Sequence, residues 1–319
     1  MGVLTERLIQ IRECPRLRVR PVPHPVQKLD LADGRTLAFT EWGDPDGRPV
    51  ITCHGTPGCR LNRHPNQKLV RSTGARVIAF DRPGYGQSSR NCGRRVVDVV
   101  DDVARLADHL DLQEFAVVGG SGGGPHALAI AAVLGDRVTR AACIVGIAPY
   151  DVLGDEWFVG MDPLNVKEFG WALEGEKRAQ EELAREDAEL RARVAEDPSN
   201  VLGDFDLPEA DRKVLARPDL AAVIRDTSKE QTANGVWGWV DDDIAFTKPW
   251  GFDPATIAVP TAVWWGAEDV LVPPQHGEWI AATVPGALAR VRRDGGHQPD
   301  PDKDVVLLNG WLLDGQTWD

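Results

Sequence analysis

The chain has 319 residues, enough to bury a large core, and suits one domain carrying an insertion better than two independent domains. A formal charge of −13 argues against nucleic acid as a partner, and no run approaches the ~20 apolar residues of a membrane span. Five cysteines (14, 53, 59, 92 and 143) are an odd number without metal-ligand spacing, which implies no metal site and fits a reducing compartment.

Residues 1–28, rich in Arg and Pro, read as an N-terminal leader or strap, with Pro21, Pro23 and Pro25 favouring an extended path. The first residues contain no secretory apolar region, and Glu6 stands where a myristoylation signal needs Ser or Thr. The expectation is a cytoplasmic protein. The first clear strand, residues 49–53, runs into His54-Gly55-Thr56-Pro57-Gly58. A second, residues 76–80, leads into the tight turn of residues 81–88. A third, residues 115–118, ends in Gly119-Gly120-Ser121-Gly122-Gly123.

This G-x-S-x-G run places Ser121 where a nucleophile would sit. Swinging a hydroxyl clear of a sheet needs a strand-to-helix turn with strained backbone at the serine. Small residues at 119 and 123 let strand and helix pass close together. The helix after Gly124 points its first N–H groups at the serine, where charge developing on a substrate oxygen is stabilised. Residues 122–127 also fit the loose G-x-G-x-x-A of a dinucleotide loop. That loop would belong to a nicotinamide oxidoreductase, but it begins near position 119 rather than in a first βα unit.

Further along, a strand over 141–147 is followed by residues 151–250, which hold 24 Asp and Glu against 12 Lys and Arg. Nearly all the net negative charge therefore lies in one segment, and it marks a separate unit. Residues 174–194 read as a helix with opposite charges four apart at Glu181/Arg185 and Glu189/Arg193. Its thin apolar stripe of Leu173, Leu183, Leu190 and Val194 places it on the outside of that unit, with its charge facing solvent. Five of the eleven tryptophans lie here: Trp157, Trp171, Trp237, Trp239 and Trp250. They either line an apolar pocket or pin the segment to the core. A strand at 262–265 then leads to Gly266, Asp269 and Pro273, and residues 288–291 lead to Gly295-Gly296-His297.

Five motifs now stand in order: H-G-x-P-G at 54–58, D-R-P-G-x-G-x-S at 81–88, G-x-S-x-G at 119–123, G-x-x-D-x-x-x-P at 266–273 and G-x-H at 295–297. Over residues 30–315 the chain resembles the α/β-hydrolase superfamily, in the branch of serine esterases and proline iminopeptidases. The resemblance implies an α/β-hydrolase fold: a mostly parallel sheet flanked by helices, with a helical cap inserted before the acid-bearing strand. The units would be 1–28 leader, 29–150 first part of the core, 151–250 cap and 251–319 second part of the core. Ser121 would be the nucleophile, His297 its base and Asp269 the acid that orients the imidazole. The N–H groups of Thr56 and Gly122 would form the oxyanion hole, Pro57 having none to give. Glu268 and Asp151 are the rivals of Asp269. His54 would brace the oxyanion loop and His126 pack in the nucleophile helix, while His24, His64, His109 and His276 would lie at the surface.

The expected activity is hydrolysis of a carboxylic ester of a small or medium apolar substrate through an acyl-enzyme, with a small molecule as partner and no cofactor. A proline iminopeptidase-like aminopeptidase and a C–C bond hydrolase are alternatives. Gly122 stands where proline iminopeptidases typically carry Trp. Epoxide hydrolases and dehalogenases are excluded because they place Asp at position 121. A non-catalytic ligand-binding member of the fold is the alternative from another class.

Overall fold

The computed structural model describes residues 25–318. Eight strands form one sheet: β1 (Gln27–Asp30), β2 (Thr36–Gly43), β3 (Arg48–Cys53), β4 (Ala75–Phe80), β5 (Phe115–Gly120), β6 (Val138–Ile144), β7 (Thr261–Gly266) and β8 (Leu288–Arg292). Their order is β1-β2-β4-β3-β5-β6-β7-β8. The β1–β2 and β2–β4 pairs are antiparallel and all later pairs are parallel. The helices are α1 (Gln67–Ser72), α2 (Val99–His109), α3 (Gly123–Val133), α4 (Tyr150–Leu153), α5 (Pro163–Glu174), α6 (Glu176–Glu196), α7 (Glu209–Leu215), α8 (Ala221–Glu230), α9 (Trp237–Phe246), α10 (Pro274–Thr283) and α11 (Pro301–Asp314).

Parallel strands bury both faces, so successive residues feed two different cores. Ile51, Ile78 and Val117 pack with α2 and α3 on one side, while their neighbours Val50, Val77 and Ala116 pack with α11 on the other. Helices α4 to α9 all fall between β6 and β7 and build two small cores of their own, one around Trp171, Leu183 and Trp239, the other around Leu207 and Leu215.

The chain runs from β3 to β4 on one side, then crosses to β5 on the other side of β3. Strand order therefore reverses between β3 and β5, and in such sheets the crevice beyond the carboxyl ends at that point is the natural binding site. The loops at 54–58 and 119–123 both open there. Among the described residues, no helix is long and apolar enough to cross a membrane. Most of the leader at 1–28, with Cys14 and His24, lies outside the described residues.

Candidate active site

Ser121 stands between the end of β5 and the start of α3 with φ of +53°, a conformation that costs a non-glycine residue about 1–3 kcal/mol. Its N–H donates to the Ile144 carbonyl and its carbonyl accepts from Gly124, each at 2.8 Å, which fixes the turn from both sides. A Cβ at Gly119 would strike the Gly123 carbonyl, and one at Gly123 would strike the carbonyls of Cys53 and His54. Only glycine lets strand and helix cross this closely. Ser121 lines a cavity of about 530 Å³ together with Thr56, Gly122 and His297.

His297 follows β8, and its Nδ1 lies 2.8 Å from Asp269 Oδ2. The other carboxylate oxygen accepts the N–H groups of Leu271 and Val272 at 2.9 Å each, so Asp269 cannot swing away. A carboxylate at Nδ1 holds the proton there and leaves Nε2 as an acceptor. Burial pushes the imidazole pKa down, but the charge and hydrogen bond of Asp269, with the charge of Asp211 behind, outweigh it and leave the pKa raised. Of the rival acids, Asp151 lies exposed on α4 and Glu268 is exposed. Among the described residues no hydrogen bond joins the Ser121 hydroxyl to His297; the two share the cavity wall.

Thr56 and Gly122 are packed face to face, since a Cβ on Gly122 would collide with the Thr56 side chain and with Phe246 Cζ. The Thr56 hydroxyl is fully committed: it donates to Asp242 Oδ2 at 2.6 Å and accepts from Arg82 Nη2 at 3.0 Å. Neither the Thr56 nor the Gly122 N–H has an intramolecular partner among the described residues. His54 braces this loop: its Nδ1 is 2.8 Å from the Gly55 carbonyl, and its Nε2 accepts the Arg82 N–H. Burial, reinforced by Arg82, drives the His54 and His126 pKa values well down, so both stay neutral.

Beneath the loop lies a buried polar cluster that the motifs did not reveal. Asp242, on α9, receives Arg82 and Arg94 at 2.6 Å each and the Tyr85 hydroxyl at 2.7 Å. Burial alone would raise its pKa, but the two guanidiniums hold it well below the usual carboxylate range. Its neighbours on the helix point elsewhere. Asp241 pairs with Arg90 at 2.8 Å, and Asp243 faces the cavity beside Glu168. Three successive aspartates, all buried, thus serve three directions, because consecutive helical side chains diverge by about 100°. Only the run Asp241-Asp242-Asp243 between apolar residues was visible in the sequence, and acidic runs usually face water.

Several expectations need correction. His276 is not at the surface: it is fully buried on α10, where Nδ1 accepts the Ala148 N–H at 3.0 Å and Nε2 lies 2.9 Å from the Trp157 carbonyl. These two backbone groups would otherwise be buried without partners. His64 is mostly enclosed, its Nε2 2.7 Å from the Pro301 carbonyl. Helix α6 is not simply an outer helix, because Glu186, Leu190 and Arg193 line the cavity. Leu173 lies in the last turn of α5 and is exposed; Ala179 joins Leu183, Leu190 and Val194 in the buried stripe. Arg185 pairs with Glu182 rather than Glu181. Of the five tryptophans in the segment only Trp239 lines the main cavity; Trp157, Trp171 and Trp250 are packing residues.

Residues 48–299 match the family model for the alpha/beta hydrolase fold, and the chain belongs to that family. It is 33% identical over 120 residues to a proline iminopeptidase of Arabidopsis thaliana, covering 37% of this chain and 31% of that protein. It is 36% identical over 127 residues to a non-heme chloroperoxidase of Streptomyces lividans, covering 39% and 46%. The chain thus spans less than half the length of these curated relatives. An alpha/beta hydrolase fold protein from Nakamurella multipartita superposes with a TM-score of 0.63 at 24% identity, over 91% of this chain and 99% of that one.

Proposed function

We propose that the protein is a serine hydrolase that cleaves a carboxylic ester of a small or medium apolar substrate. The observation that carries this reading is that His297, paired with Asp269, lines the same cavity as a serine held at φ +53°. In the first half-reaction Ser121 Oγ attacks the carbonyl carbon while Nε2 of His297 takes its proton. The tetrahedral oxyanion is received by the N–H groups of Thr56 and Gly122. The imidazolium then protonates the leaving alkoxide, leaving an acyl group on Ser121. Water, deprotonated by His297, attacks that acyl group and returns the serine. The helices between β6 and β7 act as the cap. Apolar side chains such as Phe169, Leu190 and Phe246 would receive the acyl or alcohol group. The test is initial rate on p-nitrophenyl esters of increasing acyl length, with Ser121→Ala as blank, alongside fluorophosphonate labelling. A Ser121-dependent rate with a length optimum supports the reading; folded protein that neither labels nor turns over any ester defeats it.

One observation favours a second reading, an aminopeptidase-like hydrolase. Glu168 and Asp243 face each other on the cavity wall and share a carboxyl–carboxylate hydrogen bond, and no N–H or hydroxyl of the protein reaches either Asp243 oxygen. An incoming substrate ammonium would displace the proton the pair retains and be held by the two carboxylates, and the Arabidopsis relative is a proline iminopeptidase. Faster release from aminoacyl p-nitroanilides than from neutral esters would shift the assignment to it.

A further inference from the structure

The loop carrying His297 is held by two charged side chains, one on its carbonyls and one on its N–H groups. From β8, the Arg292 guanidinium donates to the carbonyls of Gly296 and, at 2.7 Å, Gln298. From α7, in the segment between β6 and β7, the Asp211 carboxylate accepts the N–H of His297 on Oδ2 and that of Gln298 on Oδ1, each at 2.8 Å. Gly296 permits this approach, because a Cβ there would collide with the carboxylate. Asp211 is fully buried, yet among the described residues it has no Lys or Arg within ion-pair distance.

A carboxylate is a costly way to accept two amides unless its charge is used. The ionisable groups facing His297 are Asp269 after β7, Asp211 on α7 and Arg292 on β8; Asp304 on α11 lies beyond, facing Arg292. Arg292 is already turned onto the loop carbonyls. The cation left for Asp211 is the imidazolium that forms when His297 takes a proton.

We propose that Asp211 is a positioning residue for His297, fixing the base loop through two backbone amides and adding a second negative charge, beside that of Asp269, that stabilises the imidazolium. Because Asp211 belongs to the inserted segment, seating of that segment and readiness of the base are one event. Displacing α7 by an ångström frees both amides and draws a negative charge away from His297.

The proposal rests on His297 being the base, so its test includes a readout that needs no turnover: the His297 ring is titrated by long-range ¹H–¹⁵N NMR. Asp211→Asn keeps the shape, removes the charge and turns one of the two acceptors into a donor that faces a backbone N–H. Its His297 pKa is expected to fall by about half to one unit, the usual effect of deleting one nearby opposite charge. Asp211→Glu keeps the charge and is expected to stay within about 0.3 unit of wild type. On any substrate the protein turns over, kcat for Asp211→Asn should drop about tenfold or more with KM little changed, the mark of a misplaced group in the transition state. Should Asp211→Asn fail to fold, Asp211→Ser supplies an uncharged acceptor and is read in the same way. A His297 pKa equal to wild type in the uncharged variant, with only the melting temperature lowered, overturns the proposal. Absence of turnover on every ester defeats the ester reading alone, since the titration stands without it.

Discussion

The Thr56 hydroxyl donates to the Asp242 carboxylate across 2.6 Å, joining the loop after β3 to a helix that begins 181 residues later in the chain. The same carboxylate neutralises Arg82 and Arg94, both buried, so three segments meet on one charge. Asp242→Ala leaves two guanidiniums without a counter-charge in the interior. Breaking a buried pair from one side costs about 3–5 kcal/mol, and the loop holding the Thr56 N–H loses its anchor. Urea unfolding should show a loss of that size, and any folded fraction should have a depressed kcat. A loss below about 1 kcal/mol would show that the network contributes little.

Strain at the nucleophile turn predicts an inverted ranking at position 121. Alanine has lower conformational freedom than glycine and is normally the more stable choice outside turns. At φ +53° its Cβ keeps the left-handed penalty that glycine escapes, about 1 kcal/mol. Ser121→Gly should therefore unfold at higher urea than Ser121→Ala, while both abolish turnover. The opposite order would mean the turn relaxes once the hydroxyl is gone.

Local and long-range features differ in how much of them the sequence discloses. Strands β3, β4, β5 and β7 are short apolar runs that end in loop motifs, and Gly119, Ser121 and Gly123 carry their geometry in their own spacing. Asp269 and His297 stand in motifs of fixed order, and the structure brings them within 2.8 Å. The contacts of Asp211 and Asp242 depend on residues 86 and 160 positions away, and no local pattern encodes such a pairing. Charge was the misleading signal. An acidic segment reads as solvated, yet Asp211, Asp241, Asp242 and Asp243 are all buried. His276 misled for a related reason: a lone histidine between Gln275 and Gly277 gives no hint that two backbone groups await it.

The electrostatics of His297 set the acid side of the pH profile. A base must be neutral to accept the serine proton, so kcat/KM should fall as pH drops through its pKa. Asp269 and Asp211 favour the imidazolium and leave that pKa raised above the ordinary 6.5 despite burial. The midpoint of the acid limb is expected above 6.5, and Asp269→Asn should move it down while reducing kcat on the order of 10⁴. A midpoint below 6.5 in the wild type would show that burial outweighs the two carboxylates.

Glu168 and Asp243 supply the opposite pH signature. Burial pushes the Glu168 pKa up to about 7, with the neighbouring charge of Glu186 adding to it, and burial and Glu168 raise that of Asp243 well above the carboxylate range. Glu168 also accepts the Trp239 indole N–H at 2.8 Å, which holds it against the cavity wall. A carboxyl group with a raised folded-state pKa contributes stability that is fully present below its unfolded value near 4.5. That contribution is lost as pH rises through about 7, because the unfolded chain then releases protons that the folded chain retains. Wild-type protein should therefore lose stability between about pH 5 and 8. Asp243→Asn replaces a carboxyl whose folded-state pKa is raised with a neutral amide that still donates to Glu168, so it should melt higher than wild type at pH 8 and lose the advantage near pH 5. If the pair exists to hold an ammonium, the same variant should lose activity towards aminoacyl substrates and keep it towards neutral esters. Equal loss on both classes would assign the pair to packing rather than to recognition.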